Sequence, residues 1–222
     1  MKQIFAGEVY EILPTSNGII FSYCKENIDE NVIVAYKMIS FDTNRFTDVA
    51  KNIYMITKFG SNYKAVAERC QNYITTKALV LPNGKVFLLE TDGTASLIGL
   101  DGSLVWEGAL NYRSNAPSDI ILHNNSLWAS YPENNVLLRF NVATMREELR
   151  IGGNNSPFNK PKDLYLKGDE VIVSNCVSQR LVKFNLNTYA VEDLEELEEP
   201  VFQYVEVEGA RFVLLSSGLY LI

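Results

Sequence analysis

The chain repeats one stretch of sequence three times: TKALVLPNGKVFLLETDGTASLIGLDGSLVWEG from Thr76, PSDIILHNNSLWASYPENNVLLRFNVATMREEL from Pro117 and PKDLYLKGDEVIVSNCVSQRLVKFNLNTYAVEDL from Pro161. Each copy holds four short apolar runs with turn residues between them. A period of about 40 residues with four strands per unit is typical of β-propeller blades. The sequence therefore predicts an all-β, single-domain β-propeller.

Aligning the copies places the strands within each blade. The innermost strand reads ALVL (78–81), DIIL (119–122) or DLYL (163–166). Asn and Gly residues follow it, and they tolerate the positive φ of a tight hairpin turn. The outermost strands are the most polar, as expected for blade edges that face water.

The two ends of the chain are predicted to share one blade. Residues 201–222 supply three strands, and Lys2 to Ala6 supply a short strand that closes the ring by pairing with them. We predict five four-stranded blades, with six blades, one of them degenerate, as the alternative. The predicted blades span residues 8–60, 61–111, 112–153, 154–197 and 198–222 together with 1–7.

The first blade is the least regular. ITKFG (56–60) resembles ELRIGG (148–153) of the third blade, which suggests an outer strand ending at Gly60. The segment KAVAER (64–69) has helical propensity, so we expect a helical turn before the second blade.

Composition limits the kinds of partner. The 222 residues carry a formal net charge of −7, whereas proteins that bind nucleic acid or anionic membranes normally present a basic face. Cys24, Cys70 and Cys176 form no metal-binding or disulfide pattern, so we expect reduced thiols. We see no signal peptide and no apolar run long enough to span a bilayer, which predicts a cytoplasmic protein that binds neither nucleic acid nor membrane.

Two of the repeated units resemble a known superfamily. The pattern Pro-x-Asp, apolar run, Gly-Asp, apolar run, Ser-Asn (161–175) and the stretch NGKVFLLETDG…DGSLVWEG (83–108) are similar to blades of NHL/YVTN and quinoprotein-like propellers. The resemblance covers about residues 76–215. This superfamily includes six-bladed gluconolactonase-type hydrolases and bacterial cell-surface propellers. Because the motifs mark turns and core positions, function has to be argued from the site.

The site is predicted at one end of the central channel. In a propeller, the loops joining outer to inner strands and second to third strands emerge on the same face. The sequence alignment places ten side chains on this rim, two from each blade. We expect the ligand-binding residues to be Tyr10, Tyr23, Glu90, Asp119, Tyr131, Asp163, Asn175 and Phe202.

The predicted function is non-catalytic binding of a partner protein or a small ligand at this face. The resemblance to gluconolactonase-type propellers implies a first alternative, a hydrolase that holds a divalent cation such as Ca²⁺ with Glu90, Asp119, Asp163 and Asn175. A carbohydrate-binding or glycoside-hydrolysing propeller is the second alternative. If Asp119 and Asp163 have a structural role instead, we expect them to accept hydrogen bonds from neighbouring backbone amides. No cofactor is predicted beyond that cation.

Other features favour binding over catalysis. The single histidine, His123, is predicted in a hairpin turn on the opposite face, which leaves no mouth-facing histidine for a catalytic triad. We expect Trp106 and Trp128 to pack between blades. Aromatic side chains expected to be exposed in mouth-face loops are suited to recognition, and they are Tyr63, Tyr73, Tyr112, Tyr131 and Phe158.

Overall fold

The computed structural model describes residues 1–28, 31–41, 45–70 and 72–222. The strands are β1 Lys2–Ala6, β2 Val9–Thr15, β3 Gly18–Ile28, β4 Asn31–Ser40, β5 Arg45–Asp48, β6 Lys77–Val80, β7 Val86–Leu89, β8 Thr94–Ile98, β9 Leu104–Ala109, β10 Asp119–His123, β11 Ser126–Tyr131, β12 Val136–Asn141, β13 Glu147–Gly152, β14 Pro161–Lys167, β15 Glu170–Asn175, β16 Arg180–Asn185, β17 Val191–Glu196, β18 Val201–Val207, β19 Ala210–Leu215 and β20 Gly218–Leu221. The helices are α1 Lys51–Phe59, α2 Tyr63–Ala67 and a 3₁₀ turn at Pro132–Asn134.

The strands form five four-stranded antiparallel sheets arranged as the blades of a β-propeller. Blades 1 to 4 are β2–β5, β6–β9, β10–β13 and β14–β17, and blade 5 is β18–β20 with β1 as its outer strand. The prediction of five blades closed by the N-terminal strand is confirmed. The inner strands β6, β10, β14, β18 and β2 contact one another in that order around the central channel, and α1 contacts both β2 and β6.

Apolar layers between successive blades form the core. Trp128 on blade 3 is buried and packs edge-on against Phe184 of blade 4, with 5.6 Å between the ring centroids. Trp106 packs in the layer between blades 2 and 3. Both tryptophans therefore lie between blades, as predicted. The outer strands β9, β13 and β17 are largely exposed.

Blade 1 is joined to blade 2 by a helical insertion. Helix α1 occupies residues 51–59, so the expected outer strand at ITKFG is wrong, and β5 at Arg45–Asp48 is the outer strand of blade 1. The expected helical turn at KAVAER overlaps α2. Helix α1 contacts the inner strands of both blade 1 and blade 2. None of the helices in the described part of the chain has the length and apolarity needed to cross a membrane.

Ring closure depends on close approach between β1 and β20. β1 pairs antiparallel with β20, and Ala6 lies opposite Gly218. Gly218 has a φ of 140°, and a Cβ atom there would lie 2.2 Å from the carbonyl oxygen of Phe5. Only glycine fits this position without moving the N-terminal strand.

This geometry predicts the effect of a single methyl group. Gly218→Ala should lower the free energy of unfolding by about 3 kcal/mol or more, because the backbone of β1 has to shift. Gly168→Ala is the control, since Gly168 also has positive φ but its Cβ would meet no atom within 4 Å. It should cost about 1–2 kcal/mol. Equal losses for the two variants in urea denaturation would contradict this account of closure.

Candidate functional site at the channel mouth

Each inner strand places one polar side chain at the same register position, and together these side chains form a ring in the channel. The position is defined by the hairpin that follows: Glu11 lies opposite Ser22, Asp119 opposite Ser130 and Asp163 opposite Ser174. We call the set the inner ring, and its members are Glu11, Lys77, Asp119, Asp163 and Gln203.

Three inner-ring side chains bond to the inner strand of the next blade. The contacts are Leu164 N–H to Asp119 Oδ2 (2.8 Å), Tyr204 N–H to Asp163 Oδ2 (3.2 Å), Ile12 N–H to Gln203 Oε1 (2.7 Å) and Gln203 Nε2 to Ile12 carbonyl oxygen (2.9 Å). Each of these hydrogen bonds joins the inner strands of two adjacent blades in the wall of the channel. The two aspartates therefore bond to backbone amides as expected, but the amides belong to the following blade.

Between blades 1 and 2, the inner-ring residue hydrogen-bonds to helix α1 instead of to the next inner strand. Glu11 of blade 1 bonds to α1, whose Lys58 and Tyr54 both donate to its Oε2, at 2.7 and 2.5 Å. All three side chains are buried. Burial lowers the pKa of the Lys58 ammonium, and the Glu11 carboxylate opposes that shift. Helix α1 thus supplies the link between blades 1 and 2.

Lys77 of blade 2 lies close to all three carboxylates of the inner ring. Its Nζ lies 3.7 Å from Asp163 Oδ1, 3.9 Å from Asp119 Oδ1 and 4.0 Å from Glu11 Oε1. Burial alone would lower the pKa of this ammonium, but the three carboxylates outweigh burial and raise it. Lys77 therefore stays charged at neutral pH.

The two oxygens of each inner-ring aspartate contact different groups. In Asp119 and Asp163, Oδ2 accepts from a backbone amide while Oδ1 faces Lys77. Burial raises the pKa of both aspartates, most strongly that of Asp163, where the neighbouring Asp119 charge adds to the effect. Lys77 opposes both shifts.

Above the ring lies the mouth pocket, a cavity of about 490 Å³. Glu11 and Lys77 belong to its lining, so these two members of the inner ring form its floor. Loops of blades 2 and 3 form much of its wall, on the face predicted from the strand order. The other lining residues are Tyr10, Ile74, Thr75, Leu89, Glu90, Thr91, Ala116, Pro117, Ser118, Pro132, Glu133 and Lys162.

The predicted site residues divide according to their distance from this pocket. Tyr10 and Glu90 line it, and Asp119 and Asp163 are buried in the ring at its floor. Phe202 is 39% exposed and lies in a β-bulge, where register shifts between Val201 and Gln203. A corresponding bulge in β2, where the register shifts between Val9 and Glu11, contains Tyr10. The alignment of Tyr10 and Phe202 with Asp119 is therefore wrong by one residue.

The remaining predicted residues are buried or pack against other side chains of the fold. Tyr131 is fully buried and donates its hydroxyl to the carbonyl oxygen of Leu110, so its expected exposure is wrong. Phe158 is likewise buried. Asn175 is buried, accepting from the N–H of Asn159. Tyr23 packs against Phe5 of the N-terminal strand, with ring centroids 4.9 Å apart.

The residues present do not fit a divalent cation at this position. Calcium needs six to eight oxygen ligands at about 2.3–2.6 Å, whereas a lysine ammonium stands among the three nearest carboxylates. Glu90 accepts a hydrogen bond from Thr76 at 2.6 Å. Within the described ranges, no group of three or more His, Cys, Asp or Glu side chains is arranged to hold a metal ion.

Sequence analysis missed Lys77, Glu11 and Gln203 of the inner ring, and Lys58 of α1. Lys77 directly precedes the ALVL run, at the position that Asp119 and Asp163 occupy in their repeats. That correspondence was a usable signal. It was overlooked because ALVL was aligned with DIIL, which set Ala78 instead of Lys77 against Asp119. Glu11 was missed because a bulge in β2 shifts the register by one residue, which a repeat alignment does not reveal.

Removing the Lys77 charge should destabilise the fold in a pH-dependent way. Lys77→Met leaves Asp119 and Asp163 buried without their counter-charge, so we expect a loss of about 2–4 kcal/mol in unfolding free energy at pH 7. The variant raises the folded-state pKa values of both aspartates further. Protonation then favours its folded state, and the deficit should shrink as pH falls toward the ordinary Asp value near 4.

Urea denaturation of both proteins from pH 7.5 to 4.5 measures this deficit. Lys162→Met is the matched control, because Lys162 also lines the pocket but has no ion pair among the residues that the structure describes. Its effect should be small at every pH. A Lys77→Met deficit that does not change with pH would contradict the assigned role of Lys77.

Comparison with known proteins supports the fold. No family model matches the sequence, and neither does any curated protein. A streptogramin B lyase structure is 12% identical, with a TM-score of 0.51 over 100% of this chain and 70% of that chain. Virginiamycin B lyase from Staphylococcus aureus gives the same identity and score, with 71% of that chain covered. A protein of unknown function from Bacteroides caccae is 14% identical, with a TM-score of 0.53 over 94% and 70%. At this identity the likeness extends to the β-propeller fold alone, and this chain is a five-bladed member of that fold.

Proposed function

We propose that the protein is a non-catalytic binding module that takes a small polar ligand in the mouth pocket. The observation that carries the proposal is the pocket itself, a cavity of about 490 Å³ whose floor is the Lys77–Glu11 pair. Small-molecule sites typically have volumes of about 300–1,000 Å³ and a few convergent polar groups. A concave cavity of this size suits a small molecule better than the surface of a folded partner.

The lining favours a ligand that both donates and accepts hydrogen bonds. Glu90, Glu11 and Glu133 supply carboxylates, and Lys77 and Lys162 supply ammonium groups. Charges of both signs therefore face the cavity. Neutral polyols and zwitterions match this mixture, because neither presents an excess of one charge to the wall.

Binding is favoured over catalysis because the reactive groups at the floor already have structural partners. Both aspartates hold the next blade, and the Glu11 carboxylate binds α1. His123 lies on the opposite face, where its Nε2 is 2.7 Å from Asp169 Oδ1. Burial raises the pKa of the Cys70 thiol to about 11, so this cysteine is a poor nucleophile at neutral pH.

A thermal-shift screen with polyols and zwitterionic amino acids tests the proposal. At least one of these classes should raise the Tm of the protein in a saturable way, since a ligand that binds only the native state stabilises it. Glu90→Gln keeps the shape of the wall but removes a charge, and it should weaken that binding about tenfold.

Glu208→Gln is the control for this variant. Glu208 lies in the hairpin turn between β18 and β19, at the end of the inner strand remote from the mouth. Its replacement should leave the affinity unchanged. The proposal fails if no class in the screen stabilises the protein, or if Glu90→Gln and Glu208→Gln bind the stabilising compound equally well.

A further inference from the structure

A second cavity lies between blades 2 and 3, near the turns that face away from the mouth pocket. Its volume is about 200 Å³, and nine of the ten residues that line it are apolar. We call it the inter-blade slot. The residues that define it are Phe87, Leu97 and Trp106 from blade 2 and Leu122, Val142 and Met145 from blade 3.

The repeat shows what occupies the corresponding position in the next interface. The turn after β12 reads FNVATM (140–145), and the turn after β16 reads FNLNTY (184–189). In each, the asparagine side chain accepts hydrogen bonds from two N–H groups of the turn. Met145 and Tyr189 end the two turns with φ values of 52° and 61°. Met145 is therefore the structural counterpart of Tyr189.

Between blades 3 and 4 this position is filled by the chain itself. The ring of Tyr189 stacks on Phe184 at 6.3 Å, and its hydroxyl accepts from Arg139 Nη1 at 3.2 Å. The Arg139 guanidinium also lies over the ring of Trp128, 5.9 Å from its centroid.

Blade 2 lacks this arginine. In blade 3, Arg139 pairs with Trp128 of the neighbouring strand. In blade 2, Leu97 pairs with Phe87 in the same way, so Leu97 is the counterpart of Arg139. Leucine stands here in place of arginine and methionine in place of tyrosine, and both line the inter-blade slot.

We propose that the inter-blade slot binds the ring of a small aromatic molecule. The ring takes the place that Tyr189 occupies in the next interface. The parallel rings of Phe87 and Trp106, 6.0 Å apart, supply an aromatic wall. The Met145 thioether supplies a sulfur contact. Apolar cavities of about 150 Å³ stay dry and bind benzene, so a slot of this size suits one ring with few substituents. The proposal does not depend on the mouth pocket.

Titration with p-cresol, which is the side chain of tyrosine as a free molecule, tests the proposal in the intact protein. With ¹³C-methyl-labelled methionine, the chain shows four methyl signals at most. We expect a saturable upfield shift of the Met145 signal, because the bound ring lies beside it. Met55, which lies in the helical insertion, serves as an internal control and should not move. A Met145 signal that does not shift, or that shifts without saturating, overturns the proposal.

Met145→Tyr provides the matched variant because it places the counterpart of Tyr189 at the inter-blade slot. It should abolish the p-cresol effect, reported by the methyl signals of labelled leucine, while the Tm stays equal or rises. Unchanged p-cresol affinity in this variant would place the ligand elsewhere. If the variant does not fold, the wild-type titration still decides.

Two competing ligands test the assigned chemistry. Cyclohexanol has a similar volume but no aromatic face, and it should bind at least about threefold more weakly than p-cresol. Equal affinity would overturn the aromatic assignment. N-acetyltyrosinamide carries the same ring on a peptide backbone and should also bind more weakly. Tighter binding of this compound would assign the slot to an aromatic side chain of a protein partner and contradict the small-molecule proposal.

Discussion

The ammonium group of Lys77 balances the buried carboxylates that join the inner strands of the ring. Asp119 and Asp163 each hold the next blade with one oxygen and face Lys77 with the other. Two buried carboxylates this close would raise each other's pKa and favour neutral forms. Lys77 opposes that shift and favours the charged forms, which are the stronger acceptors for the backbone N–H groups, although burial still leaves the pKa of both aspartates raised. Closure of the channel and the chemistry of the mouth pocket's floor therefore have the same origin.

The inner ring also explains why this propeller is asymmetric. A fully regular ring would repeat the Asp119-type contact at all five blades, but Lys77 cannot accept a hydrogen bond from blade 3. Glu11 accepts hydrogen bonds from Lys58 and Tyr54 of α1, and its contact with blade 2 is the ion pair with Lys77. The helical insertion between blades 1 and 2 thus replaces a missing inter-blade hydrogen bond. Beside it, Ile74, Thr75 and Lys77 contribute to the mouth pocket.

The repeat was sufficient to predict the architecture, because strand periodicity and turn residues are local signals. Five blades, closure by Lys2–Ala6 and the face that carries the pocket all followed from it. Helix α1 was missed because ITKFG matched an outer strand in letters, whereas Tyr54, Lys58 and Phe59 are buried by contacts distant in sequence. The bulges at Tyr10 and Phe202 displaced the predicted ring by one residue. Such bulges depend on pairing between strands, so the order of residues in one strand does not reveal them.

A double-mutant cycle between Lys77 and Asp163 tests the central claim most directly. Asp163→Asn keeps an oxygen for the N–H of Tyr204 but removes the charge that faces Lys77. The cycle combines it with Lys77→Met and measures unfolding free energies in urea at pH 7. We predict a coupling energy of about 1–3 kcal/mol. A coupling near zero would show that the two groups act independently, and it would contradict the view that Lys77 holds the inner ring together.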